Sequence, residues 1–234
     1  MSQSLFDTGR AWLRVLVIGA VAAVFGFLLI GRFTRPLPAY AAGEKAIKQP
    51  LPKAPAGRAI AMLAGGCFWS EEALFTQLKG VEKVEPGYAG GSAPHPSYEE
   101  VCSGTTGHAE TVEITFDPKV VSYHDLLTIF LTTHNPTTLN QQGADSGTQY
   151  RSAIFYQNPA QLATAKQVIA QVTKAKVWPD PIVTEVTPFS NFFPAEAYHR
   201  NYYSLHPGES YCQFVIAPKL AHFRDLYKSR LKGA

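Results

Sequence analysis

The chain has 234 residues, a net charge of +3, 46% hydrophobic residues and 3 cysteines. Four arginines and one aspartate fall within the first 41 residues, so the remainder is formally neutral and the positive balance gives no ground for a nucleic-acid partner. Three cysteines are too few for a disulfide-stapled scaffold, and an odd number in an exported chain leaves at least one thiol unpaired.

Taken in order, the chain opens on an uncharged apolar run of 17 residues, Val15 to Gly31, with Arg10 and Arg14 before it and Arg32 and Arg35 after. That is just long enough to span a bilayer. Ala39-Tyr40-Ala41 has the small-x-small form of a signal-peptidase site. Residues 1–41 therefore read as a cleaved export signal or a retained membrane anchor. Export is favoured, with the catalytic part periplasmic or anchored outside the cytoplasm in either case. Residues 42–57, rich in Lys, Pro and Ala, read as a linker. Residues 58–234 are one domain's worth of chain, enough to bury a core.

Within that domain, Ala59-Ile60-Ala61-Met62-Leu63 predicts a buried strand, and Glu71 to Leu78 a helix stopped by Gly80. Cys67 falls at the hand-over, behind Gly65 and Gly66, where a helix dipole favours thiolate. Val81 to Glu85 predicts a short strand running into the glycine loop Pro86 to Gly91. Ser97 to Val101 predicts one or two helical turns. Ala109 to Phe116 predicts a strand with Val112, Ile114 and Phe116 on one face. Ser122 opens a helix through Leu131, Asn135 to Gly147 is a long polar loop, Tyr150 to Tyr156 is a strand, and Asn158-Pro159 starts a helix to about Lys176. Ile182 to Val186 is the last predicted strand. The alternation suits an α+β fold with a split-βαβ (ferredoxin-like), two-layer core, loop-rich extensions and a mobile C-terminal segment.

A nucleophilic Cys67 needs an acid, a pocket and a route to regeneration. Glu110, behind Gly107 and His108 at the start of a strand, is the carboxyl whose burial would raise its pKa toward neutrality. A lone Glu is more often a surface residue, and His108 more often a structural hydrogen-bonder. Phe68 and Trp69 could wall the sulfur. Tyr98 and Tyr150 stand at loop-to-element junctions, where hydroxyls could bind a substrate oxygen. Cys212, in a Gly/Pro segment, is a thiol able to trap an oxidised partner; permanent bridging to Cys67 or Cys102 is the competing reading. Cys102 reads as a small packed residue. No Cys or His pair has zinc-ligand spacing, so no metal is expected.

GGCFW, GYAGG, the stretch ending at Tyr98, EVCSGTTGHAE, FDP, DSGTQYR with SAIFY, and TEVTPF together resemble the A-type peptide methionine sulfoxide reductases, in register from about Ala59 to Cys212. The resemblance implies a cysteine mechanism without metal or organic cofactor and a preference for the S sulfoxide epimer, in proteins and free. It makes Cys67 the nucleophile, Glu110 the acid, and Cys212 the resolving thiol. It makes Phe68 and Trp69 the methyl pocket, and Tyr98, Asp145 and Tyr150 polar binding groups. The leader and Cys212 point to recycling by an external dithiol, a thioredoxin-like partner delivered across the membrane, and a monomer is expected. Ser70 departs from the glycine usual after the Trp. Two other functions are weighed: a Cys67 hydrolase or acyltransferase using His108, His134 or His199, and a non-enzymatic tethered domain held by a Cys67–Cys212 bridge.

Overall fold

The computed structural model describes residues 47–233; the leader expected at 1–41 lies outside them. Strand β1 (Ala59–Gly65) is apolar along its length because both of its faces are covered. Ala61 and Leu63 face one cluster, Ile60, Met62 and Ala64 the other. It leads through Gly66 into α1 (Phe68–Phe75). Strand β2 (Val81–Ala89) follows, then the short α2 (Tyr98–Cys102) and β3 (Ala109–Phe116). Next come α3 (Tyr123–Thr133), the small hairpin β4 (Gln141–Gln142) and β5 (Asp145–Ser146), and β6 (Ser152–Tyr156). The chain continues through α4 (Pro159–Lys174), β7 (Glu185–Pro188) and β8 (Phe192–Pro194) to α5 (Tyr202–Leu205) and α6 (Ala217–Leu226).

Six strands form one mixed sheet in the order β7-β6-β1-β3-β2-β8. β3 runs antiparallel between β1 and β2, which α1 joins by a crossover. β6 pairs antiparallel with β1 and parallel with β7. The α+β class expected from the sequence is therefore observed. The larger core lies on one face, where Leu63, Ile114 and Ile154 meet Leu74 and Phe75 of α1, Leu127 and Phe130 of α3, and Val168 of α4. The smaller cluster on the other face is covered by Phe189, Phe192 and Ala54. Residues expected as a linker thus lie against the sheet from Ile47 onward: Asn191 Nδ2 donates to Ile47 O, and Gln49 N to Ser190 O at 2.7 Å.

Helix starts follow their sequence signals. Ser97 and Ser122 form reciprocal capping boxes with Glu100 and Asp125, and Asn158 caps α4 with Pro159 at its first position. Two expectations are corrected. β2 runs on through Pro86 and Gly87, because β8 lies beside it and a side chain at Gly87 would meet Phe193 O at 2.5 Å. The polar loop after Asn135 contains the β4–β5 hairpin. In the C-terminal segment a π-helical turn (Cys212–Ile216) leads into α6, with Cys212, Ile216, Leu220 and Phe223 at most 1% exposed. Its end returns to α1 through Lys232 N to Gln77 O at 2.8 Å.

Candidate active site

Cys67 caps α1 at its N-terminus, held there by two glycines. Gly66 adopts φ +95°, and a Cβ on Gly65 would lie 2.7 Å from the Phe130 ring. Glu110 is the second residue of β3, and the period of two puts it on the same face as Val112, Ile114 and Phe116. That face lies beneath α1. Glu110 is 1% exposed, and its Oε2 accepts from the backbone N–H of Phe68 at 3.0 Å.

Burial drives the Glu110 pKa up to about 8, against the pull of the Phe68 amide and with a further push from Asp145. The shift is in the direction expected for a carboxyl that holds a proton near neutrality. The thiol departs from expectation. Burial first, then the Glu110 charge, pushes Cys67 well above its ordinary value, and the Trp69 amide and Tyr211 hydroxyl only partly offset this. Desolvation and a neighbouring carboxyl outweigh the short helix's dipole.

Tyr150 ends a 3₁₀ turn (Thr148–Tyr150), where burial and the Glu110 and Cys67 charges raise its pKa. Tyr98 opens α2 and is raised by burial, by a hydrogen bond to the Cys102 thiol, and by Glu110. Both hydroxyls remain protonated donors within the field of the acid. Cys102 is exposed rather than packed, because α2 is a single turn whose C-terminal end faces solvent. Asp145 on β5 accepts from the Tyr211 hydroxyl, which also hydrogen-bonds to Cys67.

Phe68 is 1% exposed. The Trp69 indole is braced on three sides: stacked on Tyr202 at 3.7 Å, edge-on to Tyr211, and donating from Nε1 to His199 Nδ1 at 3.0 Å. Glu196 anchors the same segment, accepting from Tyr88 OH at 2.8 Å and Tyr98 N at 2.9 Å. The sequence reading gave no role to Tyr88, Glu196, Tyr202 or Tyr211, nor this one to His199. The signal available was the density of aromatic and His residues in Phe192 to Tyr203, just ahead of Cys212.

The histidines of the hydrolase reading are committed elsewhere. His108 Nδ1 accepts from Gly91 N and its Nε2 meets Ala93 O, the structural role expected. His134 bonds to Phe130 O and Ser152 Oγ, and burial lowers its pKa to about 3. All three cysteines are free thiols. Cys212 directly follows Tyr211 and is buried in the main core cluster.

The site brings a buried thiol, a buried carboxyl and an aromatic wall together on an α+β fold. The family profile of peptide methionine sulfoxide reductase matches residues 59–231. Peptide methionine sulfoxide reductase MsrA of Polynucleobacter asymbioticus is 54% identical over 169 residues, covering 72% of this chain and 89% of its own. MsrA of Thermus thermophilus is 54% identical over 173 residues, covering 74% and 97%. Among solved structures, the reduced form of Mxr1 from Saccharomyces cerevisiae superposes with a TM-score of 0.62 at 32% identity, covering 72% of this chain and 97% of that one. Methionine sulfoxide reductase A of Corynebacterium diphtheriae gives 0.62 at 30%, covering 73% and 92%. The chain belongs to the peptide methionine sulfoxide reductase family and is a peptide-methionine (S)-S-oxide reductase.

Proposed function

We propose that reduction runs through Cys67, Glu110 and Cys212 in two thiol steps. Sulfoxide oxygen leaves sulfur poorly until it is protonated, and Glu110, protonated up to about pH 8, is the donor. The Cys67 sulfur attacks the substrate sulfur as its thiol proton leaves; an S–S bond forms and the oxygen takes the Glu110 proton. The hydroxyl then moves from the substrate sulfur to Cys67 as the S–S bond breaks; methionine keeps that bond's electron pair, Cys67 is left as a sulfenic acid, and the thiol proton restores the Glu110 acid. Tyr98 and Tyr150 donate to the oxygen as charge develops on it. Trp69 and Phe68 hold the methyl end, and Asp145 holds the rest of the substrate from β5. The Cys212 thiol then attacks the Cys67 sulfur: an S–S bond forms, the S–O bond breaks, and water leaves with the Cys212 proton. A thioredoxin-like dithiol reduces that bridge and becomes oxidised in turn.

The observation that carries this reading is the burial of Glu110 directly beneath the helix cap that presents Cys67. The substrates are methionine sulfoxide in oxidised proteins and free. The catalytic part works as a monomer outside the cytoplasm, behind the leader at residues 1–41. The core β1-α1-β2-β3-α3-β6 is a split-βαβ unit of ferredoxin-like order, and the π-helical turn at Cys212 is the part that moves when the bridge closes. The test is Cys212→Ser. It forms one methionine per enzyme and a Cys67 sulfenic acid captured by a dione probe; continued turnover at the wild-type rate with dithiol present and no captured sulfenic acid contradicts the relay.

A further inference from the structure

A cavity of about 260 Å³ opens beside the Cys67 sulfur, on the side of Ser70, Asn135 and Asp145. Its size is near the lower end of ligand pockets, which run from roughly 300 Å³ upward. Trp178 and Val215 form an apolar wall within it. The Trp178 indole is held by its own donation to Leu131 O at 2.8 Å.

Three polar groups in this cavity have bonding capacity left over. Ser70 is 3% exposed, and among the described residues its hydroxyl has no hydrogen-bond partner. Asn135 accepts twice through Oδ1, from Thr137 N and Oγ1, and its Nδ2 is unused. Asp145 spends Oδ2 on Tyr211 and leaves Oδ1 open. The nearby ammonium of Lys219 is paired with Glu71 at 2.7 Å, so Asp145 is the lining charge left unbalanced. Donors, an acceptor and an apolar wall together match a peptide group followed by an apolar side chain.

We propose that this cavity is a subsite for the residue next to methionine sulfoxide in a polypeptide, so that chain-borne sulfoxide with an apolar neighbour is favoured and an acidic neighbour is disfavoured. The subsite rests on the reductase reading above: the cavity begins at Cys67, and only a chain whose sulfoxide lies on that sulfur extends into it. Ser70 supplies a hydroxyl to the peptide group.

The test is the first turnover, read as methionine formed without added reductant. It uses acetyl-methionine-(S)-sulfoxide amide as the minimal substrate and pentapeptides with Leu or Asp on both sides of the sulfoxide. At subsaturating concentration the Leu peptide reacts on the order of tenfold faster than the minimal substrate, and the Asp peptide does not. Trp178→Ala brings the Leu peptide to within about twofold of the minimal substrate, whose own rate holds. Val215→Glu, a change at a 39% exposed position, does the same by adding a charge, and decides the matter if Trp178→Ala fails to fold. A Leu peptide no faster than the minimal substrate overturns the subsite, as does an equal loss on both substrates in the variants. Turnover of the minimal substrate with no gain from flanking residues removes the subsite and leaves the reductase reading intact; no turnover of either removes both.

Discussion

The backbone N–H of Phe68 donates to Glu110 Oε2 at 3.0 Å, so the first turn of the helix that carries Cys67 is seated on the carboxyl proposed as its acid. That hydrogen bond ties the backbone beside Cys67 to the Glu110 carboxyl. Glu110→Gln keeps an acceptor for that N–H and removes the transferable proton. The first-turnover rate should fall by about 10²- to 10⁴-fold. The wild-type rate should decline above about pH 8 as Glu110 ionises, and that decline should vanish in the variant. A stopped-flow pH series checks both.

The same carboxyl makes stability depend on pH. Its folded pKa of about 8 lies above the ordinary 4.5. Below pH 4.5 both states hold the proton and nothing is lost. Between 4.5 and 8 the unfolded state releases a proton that the folded state keeps, so Glu110 disfavours folding increasingly until the window closes. Glu110→Gln should therefore be more stable than wild type at pH 8, by on the order of a few kcal/mol, with the difference shrinking toward pH 4.5. Denaturant titrations at the two pH values measure it.

Tyr211 has a single hydroxyl proton and two neighbours for it, Asp145 Oδ2 and the Cys67 sulfur. Its bond to the sulfur lowers the Cys67 pKa. Tyr211→Phe should move that pKa up by about one unit, the worth of one hydrogen bond to a charged group. The rate of Cys67 alkylation against pH, in a background lacking the other two cysteines, reads the shift.

Lys219 and Glu71 form a pair with side chains 18% and 1% exposed, tying α6 to α1. Lys219→Met leaves the Glu71 charge buried without a partner and should cost about 3–5 kcal/mol. Adding Glu71→Leu should restore most of that loss. Thermal unfolding of the single and double variants distinguishes the pair's role from simple loss of packing.

The parts of the fold legible in the sequence are those set by local pattern. β1 and β3 read from their apolar period, and α2, α3 and α4 from Ser97, Ser122 and Asn158 at their caps. Glu110 was legible because its place at the head of a strand with an apolar face implies burial. The brace on Trp69 was not: His199 lies 130 positions away, and a contact of that separation leaves no periodicity behind. Strand β8 is three residues long, too short for alternation to register, and its need for room is visible only as Gly87. The Cys67 pKa followed the same division. The helix N-terminus could be read locally, but the burial and the Glu110 charge that dominate it come from β3.

The most direct measurement of the central claim is one turnover of the full chain with a methionine sulfoxide peptide of defined epimer, without reductant, followed by thiol counting and mapping of the bridge. The account predicts one methionine per enzyme from the S epimer only, two thiols consumed, and Cys67 joined to Cys212. Methionine formed with Cys212 still a free thiol and Cys67 bridged to Cys102 would contradict it.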